Sequence, residues 1–382
     1  MQQYNKVVLS LGSNLGDKKA FLLKAIQQIH DHIGFVKQAS FIYETPSWRF
    51  DSFPFYNICI LLNTHLQPEV LLDKLKDLEK KLGRTIKTTE SYSARTVDID
   101  IIYFNNEVIE TEYLTIPHPQ IQHRTFVLIP LNDLEIEWKH PVLQKDTSEL
   151  LSNCNDDSEI KKIEAIQLPK DKYSIQKLNF IAIEGNIGSG KTTLVQKMTQ
   201  DFNAKSILER FAENPFLPKF YQNPERYAFP LEMSFLADRY LQLSEDLGQY
   251  DLFKEFVIAD YYIYKSLIFA QVTLDLEEVN LYRNVFDVMY KETQKTDLYI
   301  YLYQKTDNLL ENIKKRGRNY ESDIEAEYLD KINHSYSEFI KTLPQENVLI
   351  IDVSAKDFVE KQEDYLDVLN IINSKILSVS DR

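Results

Sequence analysis

The chain has 382 residues, beyond the ~250–300 at which a single hydrophobic core stops growing, so two domains are expected. Its formal charge of −14, from 44 Lys and Arg against 58 Asp and Glu, comes with no basic block and disfavours a nucleic-acid partner. Two cysteines without metal-ligand spacing, no apolar run near the ~18 residues of a membrane span and no signal-peptide pattern at the N-terminus predict a cytoplasmic protein with no membrane association.

In chain order, the first half reads as strand Lys6–Leu11, helix from about Lys18 to His32, strands near Phe35–Glu44 and Phe55–Asn63, helix Pro68–Leu82 and strand Thr96–Phe104. A Pro-punctuated region follows. Short strands between helices suggest one layered α+β domain over residues 1–155. The polar, charged stretch NCNDDSEIKK and then LPKDKYS suggests a linker over 156–177, which leaves 178–382 as a second domain. That domain opens with strand Asn179–Ile183 and a helix from about Lys191 to Asp201, then carries apolar runs at Phe256–Ala259, Leu298–Tyr303 and Asn347–Val353. Buried strands separated by long helical patterns imply an α/β domain with a parallel sheet covered on both faces.

The most chemical segment of the first half is SARTVDIDIIYF, residues 93–104. In a strand the side-chain period is two, so Asp98 and Asp100 share one face while Ile99 and Ile101 turn to the core. Such a carboxylate pair suits Mg²⁺. Arg95 upstream and the segment PHPQIQHRTF beyond add groups suited to polyphosphate.

Over about residues 5–150 this half closely resembles the 6-hydroxymethyl-7,8-dihydropterin pyrophosphokinases of folate synthesis. The matching strings are LSLGSNLGD, YETPSW at Tyr43–Trp48, LEKKLGR at Leu78–Arg84, YSARTVDIDII, IPHP and HRTF. The resemblance implies a ferredoxin-like α+β sandwich and transfer of the β,γ-pyrophosphoryl group of ATP to the pterin hydroxymethyl, with AMP released. It implies that Asp98 and Asp100 hold two Mg²⁺ ions and that Arg84, Arg95 (catalytic), Arg124 and His118 lie on the nucleotide side. Thr45, Pro46, Phe55, Asn57, Tyr92 and Phe126 would form the pterin side. Tyr92 stands where some members have tryptophan.

In the second half, GNIGSGKT at Gly185–Thr192 follows a strand pattern and opens a helix pattern. It concentrates three of the chain's nine glycines in eight residues. The pattern GxxxxGK[ST] lets backbone N–H groups wrap phosphates, with Lys191 on the outer oxygens and the Thr192 hydroxyl on Mg²⁺. Gly185, Asn186, Ile187, Gly188, Ser189, Gly190, Lys191, Thr192 and Thr193 are therefore the expected ATP-binding residues. Strings QKTD at Gln294–Asp297 and Gln304–Asp307 fall short of a guanine-reading NKxD, which disfavours a GTPase. A small-molecule kinase needs a base at the acceptor hydroxyl, cations on the moving phosphoryl group and an acceptor pocket.

Residues 178–382 resemble the deoxynucleoside kinases, particularly the bacterial deoxyadenosine/deoxyguanosine branch, through the P-loop, Glu209, FAENPFLPKFYQNPERY and KKRGRN. The resemblance implies a P-loop fold with a parallel five-stranded sheet and dimerisation through the kinase domain. Glu209 would accept the proton of the sugar 5′-hydroxyl, Tyr221 and Glu327 would hold the 3′-hydroxyl, and Arg316 and Arg318 would close over the phosphates. Asp260, ending FVIAD, would orient one Mg²⁺. The base-side positions fall at Glu232, where the family has glutamine, and at Arg239. Where the family has an arginine after the acidic residue, this chain has Tyr261.

The sequence thus implies a bifunctional ATP- and Mg²⁺-dependent transferase: a pterin pyrophosphokinase joined to a deoxynucleoside kinase, deoxyadenosine favoured. Its small-molecule partners would be ATP, the pterin and the deoxynucleoside. The alternatives are deoxyguanosine or another acceptor for the second half, or one half serving as a non-catalytic binding or dimerisation module.

Overall fold

The computed structural model describes residues 4–47, 52–84, 95–134, 136–211, 214–248, 254–291, 293–318, 321 and 324–380. The chain divides into two units, Met1–Lys172 and Tyr173–Arg382.

The first unit runs β1 (Asn5–Ser13), α1 (Lys18–His32), β2 (Phe35–Ala39), β3 (Ile42–Thr45), β4 (Phe55–Thr64), α2 (Pro68–Lys81), β5 (Asp98–Phe104), the short β6 (Ile109–Glu110) and β7 (Thr115–Ile116), α3 (Thr125–Asn132), α4 (Thr147–Ser152) and β8 (Lys161–Glu164). An antiparallel sheet of order β5-β1-β4-β3-β8, with β2 also on β4, forms its spine. Alternation along β1 explains the layers: Val7, Leu9 and Leu11 face the cluster built with α1 and α2, while Val8 faces the cluster with α3. Asp17 caps α1 by accepting from the Ala20 amide at 3.0 Å. The inner residues Leu71, Leu75 and Leu78 of α2 follow its 3.6 period, and each buried leucine contributes roughly 1.5–3 kcal/mol.

The expected single strand over Phe35–Glu44 is two strands, because the chain turns at Ser40 and Phe41. The expected linker 156–177 is not a free connection: its Lys161–Glu164 segment pairs with β3 as an edge strand, and the division between units falls at Lys172/Tyr173. The charged sequence KKIE reads as linker because an edge strand keeps one row of solvated side chains.

The second unit runs β9 (Phe180–Gly185), α5 (Lys191–Asp201), β10 (Lys205–Ile207), α6 (Leu217–Gln222), α7 (Pro224–Gly248), β11 (Val257–Ala259), α8 (Tyr264–Thr273), α9 (Leu276–Tyr290), β12 (Leu298–Tyr303), α10 (Thr306–Arg316), α11 (Ala326–Ile340), β13 (Val348–Asp352) and α12 (Gln362–Ser380). Its five strands are all parallel, in the order β10-β11-β9-β12-β13. The central β9 is buried along its whole length, which is why it reads as a continuous apolar run and not as an alternation. The chain passes from β9 out to the edge strand β10, returns to β11 beside β9, then crosses to β12 and β13 on the other side, and such a reversal of strand order is where α/β sheets bind ligands, beyond the carboxyl ends of the strands.

Candidate functional sites

The site of the first unit is set by strand register. Gly12 of β1 lies opposite Asn57 of β4 and Asp98 of β5, and Ser10 lies opposite Cys59 and Asp100. One face of three neighbouring strands therefore carries Asn57, Gly12 and Asp98 side by side, with Ile99 and Ile101 buried on the other face. A Cβ on Gly12 would come within 2.9 Å of Asn57 Oδ1, so glycine leaves room for the amide. These residues open on a cavity of about 260 Å³. It is lined by Thr45, Pro46, Phe55, Asn57, Arg84, Arg95, Asp98, Asp100, His118, Arg124 and Phe126, together with Ser10 and Gly12. Among the residues expected from sequence in this half, Tyr92 alone lies outside the described residues.

The cavity is electrostatically two-sided. Asp98 is paired with Arg84 at 2.6 Å and with Arg95, and Arg124 stands 4.0 Å from Asp100. Burial and the neighbouring Asp98 raise the Asp100 carboxyl to about 7 against the pull of the three arginines, so this acid pair favours a further cation. Two carboxylates offer the hard oxygen donors that Mg²⁺ takes. His118 accepts from the Gln120 amide at Nδ1, and burial with Arg124 lowers it to about 4. A neutral ring in that state carries its proton on Nε2 as a donor. Asn57 donates to Thr45 Oγ1 at 2.8 Å, which fixes the amide so that its carbonyl oxygen is left to accept.

Glu79, which sequence reading passed over, underpins this arrangement. Its Oε1 accepts from the Ile99 amide at 2.7 Å and from Arg84, tying α2 to the strand that carries both aspartates. Burial and Asp98 raise its carboxyl to about 7. Its signal in LEKKLGR is a buried glutamate five residues before the arginine it orients.

In the second unit, the loop after β9 follows the P-loop expectation. Gly188 and Gly190 adopt φ of +83° and +87°, and a Cβ on Gly190 would meet the Phe358 ring at 2.6 Å. Asn186 anchors the loop by donating to Leu329 O at 2.8 Å and to Asn333 Oδ1 at 2.9 Å, while Ile187 N donates to the Asn186 side chain. Gly185 ends β9, Ser189 is buried, and Thr193 lies in the first turn of α5. Lys191 donates to Asn186 O at 2.7 Å, and burial together with Lys265 lowers its pKa.

Two acids from strand carboxyl ends, Asp260 and Glu209, meet beside this loop. Asp260 accepts from Thr192 Oγ1 at 2.5 Å and from the Glu209 amide at 2.8 Å, bringing a hydroxyl and a carboxylate together in a donor set suited to Mg²⁺. Glu209 is held by Arg239, 2.9 Å from Nε and 2.6 Å from Nη2, and by Lys265 at 2.5 Å. Burial alone would raise the Glu209 carboxyl, but the two cations outweigh it and hold it down at about 2. Lys265 was not singled out from sequence; it is the second residue of α8, five residues after Asp260. Tyr261 points into the core and donates to Gln242 at 2.9 Å, so it faces no phosphate.

Glu232 and Arg239 occupy one inward face of α7, two turns apart, and Thr273 Oγ1 lies 3.2 Å from Glu232 Oε1. Tyr221 packs against the cluster of Leu309, Ile313 and Leu329. Glu327 does not join it: its side chain is 74% exposed and ion-paired with Lys331 at 2.8 Å. Helix phase is the reason, since the buried face of α11 runs through Leu329, Ile332 and Tyr336. The buried acid of this region is Glu321, which binds Arg316 and, at 3.2 Å, Arg318. Arg318 also lies 3.8 Å over the Phe211 ring. The readable signal for Glu321 was its place three residues after Arg318.

Comparisons with known proteins agree with this division. The deoxynucleoside kinase family matches residues 181–377, and the 7,8-dihydro-6-hydroxymethylpterin-pyrophosphokinase family matches residues 8–136. A deoxyguanosine kinase of Bacillus subtilis is 42% identical over 191 residues, 49% of this chain and 92% of the relative. A 2-amino-4-hydroxy-6-hydroxymethyldihydropteridine pyrophosphokinase of Aquifex aeolicus is 37% identical over 144 residues, 37% of this chain and 88% of the relative. A solved deoxyadenosine kinase from M. mycoides with bound dATP covers 50% of this chain and 99% of its own, at 26% identity and a TM-score of 0.44. The chain is a transferase that belongs to the pterin pyrophosphokinase family through its first unit and to the deoxynucleoside kinase family through its second.

Proposed function

We propose that the first unit moves the β,γ-pyrophosphoryl group of ATP to 6-hydroxymethyl-7,8-dihydropterin, releasing AMP. The second then phosphorylates the 5′-hydroxyl of a purine deoxynucleoside: the branch resemblance favours deoxyadenosine, and the name of the Bacillus subtilis relative supports deoxyguanosine. The carrying observation for the first reading is the single cavity shared by the acid pair, the arginines and the Asn57 amide. For the second it is Glu209 next to Asp260, Thr192 and the P-loop.

In the first site, Asn57 Oδ1 accepts from the amide edge of the pterin, and Phe55 and Phe126 flank the ring. Arg84 and Arg95 spend their charge on Asp98 and turn to phosphate oxygens when the nucleotide enters, joined by Arg124 and the Nε2–H of His118. Mg²⁺ bound at Asp98 and Asp100, two ions by family resemblance, would neutralise charge on the triphosphate.

In the second site, backbone N–H groups of the P-loop and Lys191 bind the ATP phosphates, and Arg316 and Arg318 close over them once Glu321 yields. Glu209 is ionised across the physiological range, so it aligns the 5′-hydroxyl as a hydrogen-bond acceptor. It takes the proton only as the new O–P bond forms and the bond to ADP breaks, which suits a loose phosphoryl-transfer transition state. One Mg²⁺ at Thr192 and Asp260 would offset charge on the departing phosphate.

The proposal includes a homodimer through the second unit, supported by Leu276 and Val288 of α9, which are 77% and 70% exposed; analytical ultracentrifugation tests it. It also includes a cytoplasmic setting, supported by two unpaired thiols, Cys59 and Cys154. The functional test is an ATP assay against the pterin and all four deoxynucleosides, with AMP and ADP resolved. AMP should form only with the pterin and ADP with purine deoxynucleosides. A clear pyrimidine preference sinks the second assignment, and no AMP at saturating pterin sinks the first.

A further inference from the structure

Glu232 is 2% exposed, and among the described residues its Oε2 is the one buried carboxylate oxygen with no hydrogen-bond partner. Burying an acid in this way is costly unless a ligand completes it. Its other oxygen lies 3.2 Å from Thr273 Oγ1, whose single proton is contested by the Phe269 carbonyl at 3.0 Å. If that proton goes to the carbonyl, Thr273 can only accept from a protonated Glu232; if it goes to Glu232, it favours the ionised carboxylate. The polar surroundings accommodate both forms.

The position matches a nucleoside acceptor, and the inference rests on the reading of the second unit given above. Arg239 joins Glu209, where the 5′-hydroxyl is placed, and Glu232 stands seven residues earlier on the same face, about 10 Å along the helix, comparable to the length of a nucleoside. With Glu232 at the position that the family resemblance gives to the base-reading side chain, we propose that its protonation state selects between the two purines. Ionised, it offers only acceptors, which match the adjacent N1–H and N2–H donors of guanine. Protonated, it offers one O–H donor and one acceptor, which match N1 and N6–H of adenine.

The groups facing Glu232 are Arg239 on its own helix, Glu209 at the strand end, Lys265 and Thr273 of α8, Tyr282 of α9 and Tyr328 of α11. Burial raises its carboxyl to about 7, with Arg239, Thr273 and Lys265 pulling down and Glu209 pushing up, so both forms are populated near neutrality. Adenine preference should therefore fall, and guanine preference rise, as pH increases through neutrality.

The test measures kcat/KM for deoxyadenosine and deoxyguanosine between about pH 5.5 and 8.5, using the full-length protein and its Glu232→Gln and Thr273→Val variants. The guanine-to-adenine ratio of the wild type should climb with pH. Glu232→Gln, which keeps one donor and one acceptor at every pH, should give a flat ratio shifted about tenfold or more toward adenine. Thr273→Val should move the pH midpoint without removing the dependence, and it tests the idea if Glu232→Gln is too unstable to assay. A pH-independent ratio in the wild type, or an equal loss on both purines in a folded Glu232→Gln protein, overturns the proposal. No phosphorylation of either purine by the wild type is a different failure, that of the kinase assignment.

Discussion

The two units meet the same ligand group, a triphosphate, with opposite resources. In the first, the groups proposed for the phosphate side are side chains on an antiparallel sheet and its loops: Arg84, Arg95 and Arg124 surround two aspartates brought to one face by strand alternation. In the second, much of the donor capacity is backbone, wrapped by glycines with positive φ at the end of a buried parallel strand. Side-chain recognition uses charges that neutralise each other until substrate arrives, and Arg84 and Arg95 rest on Asp98. Backbone recognition needs no such counter-ion, and there the internal neutralisation shifts to the acceptor side, where Arg239 and Lys265 rest on Glu209.

The largest expected break separates the units outright. Asp98→Ala should lower pterin pyrophosphorylation on the order of 10³-fold and leave nucleoside phosphorylation intact, measured as AMP and ADP from one preparation. Lys191→Ala should do the reverse, lowering kinase turnover on the order of 10²- to 10³-fold. If either substitution impairs both activities, the independence of the two sites is wrong.

A smaller effect sharpens the contrast on the acceptor side. Because Glu209 is held at about 2, it should impose no acid limb on the wild-type kinase profile above about pH 4. Lys265→Met removes the larger of the two cationic contributions, so the Glu209 pKa should rise and kinase activity should fall as pH drops through the ordinary carboxylate range. The linked stability has the same sign: a carboxyl with a depressed folded pKa stabilises above its unfolded value and loses that contribution as pH falls. Superimposable profiles for wild type and Lys265→Met rule this account out.

The smallest effect concerns space. Gly12→Ala should raise the KM for the pterin several-fold with little change in turnover, because its Cβ would press on Asn57 Oδ1 at 2.9 Å. It should cost about 1–3 kcal/mol of stability in the first unit, as overpacking does, read by thermal unfolding. An unchanged KM would mean that the Asn57 amide does not contact the pterin.

What could be read from the sequence depended on how local the determinant is. Asp98 and Asp100 were legible because a period of two within one strand decides their common face. The P-loop and α5 were legible because glycine conformations and helix start are set within a few residues. The exposed placement of Glu327 was not legible because a matching string carries no helix phase, whereas the buried acid, Glu321, lies on the stretch that precedes α11. Lys265 and Glu79 escaped because their partners come from elements far away in sequence: Glu209 for the first, the Ile99 amide for the second. The continuous strand expected over Phe35–Glu44 failed at Ser40, whose amide still donates to Cys59 O at 2.9 Å but whose hydroxyl, and not its carbonyl, accepts from the Cys59 amide at 3.0 Å.

The short β8 strand also dictates where the polypeptide can be cut. Ending the first unit at residue 155, as its composition suggests, would strip Lys161–Glu164 from β3 and leave that strand with an open hydrogen-bonding edge. Open edges template intermolecular pairing, so the shorter fragment should aggregate where one ending at Lys172 stays monodisperse. Four residues, three of them charged and exposed, thus act as the selvage of the sheet, keeping it from fraying into its neighbours.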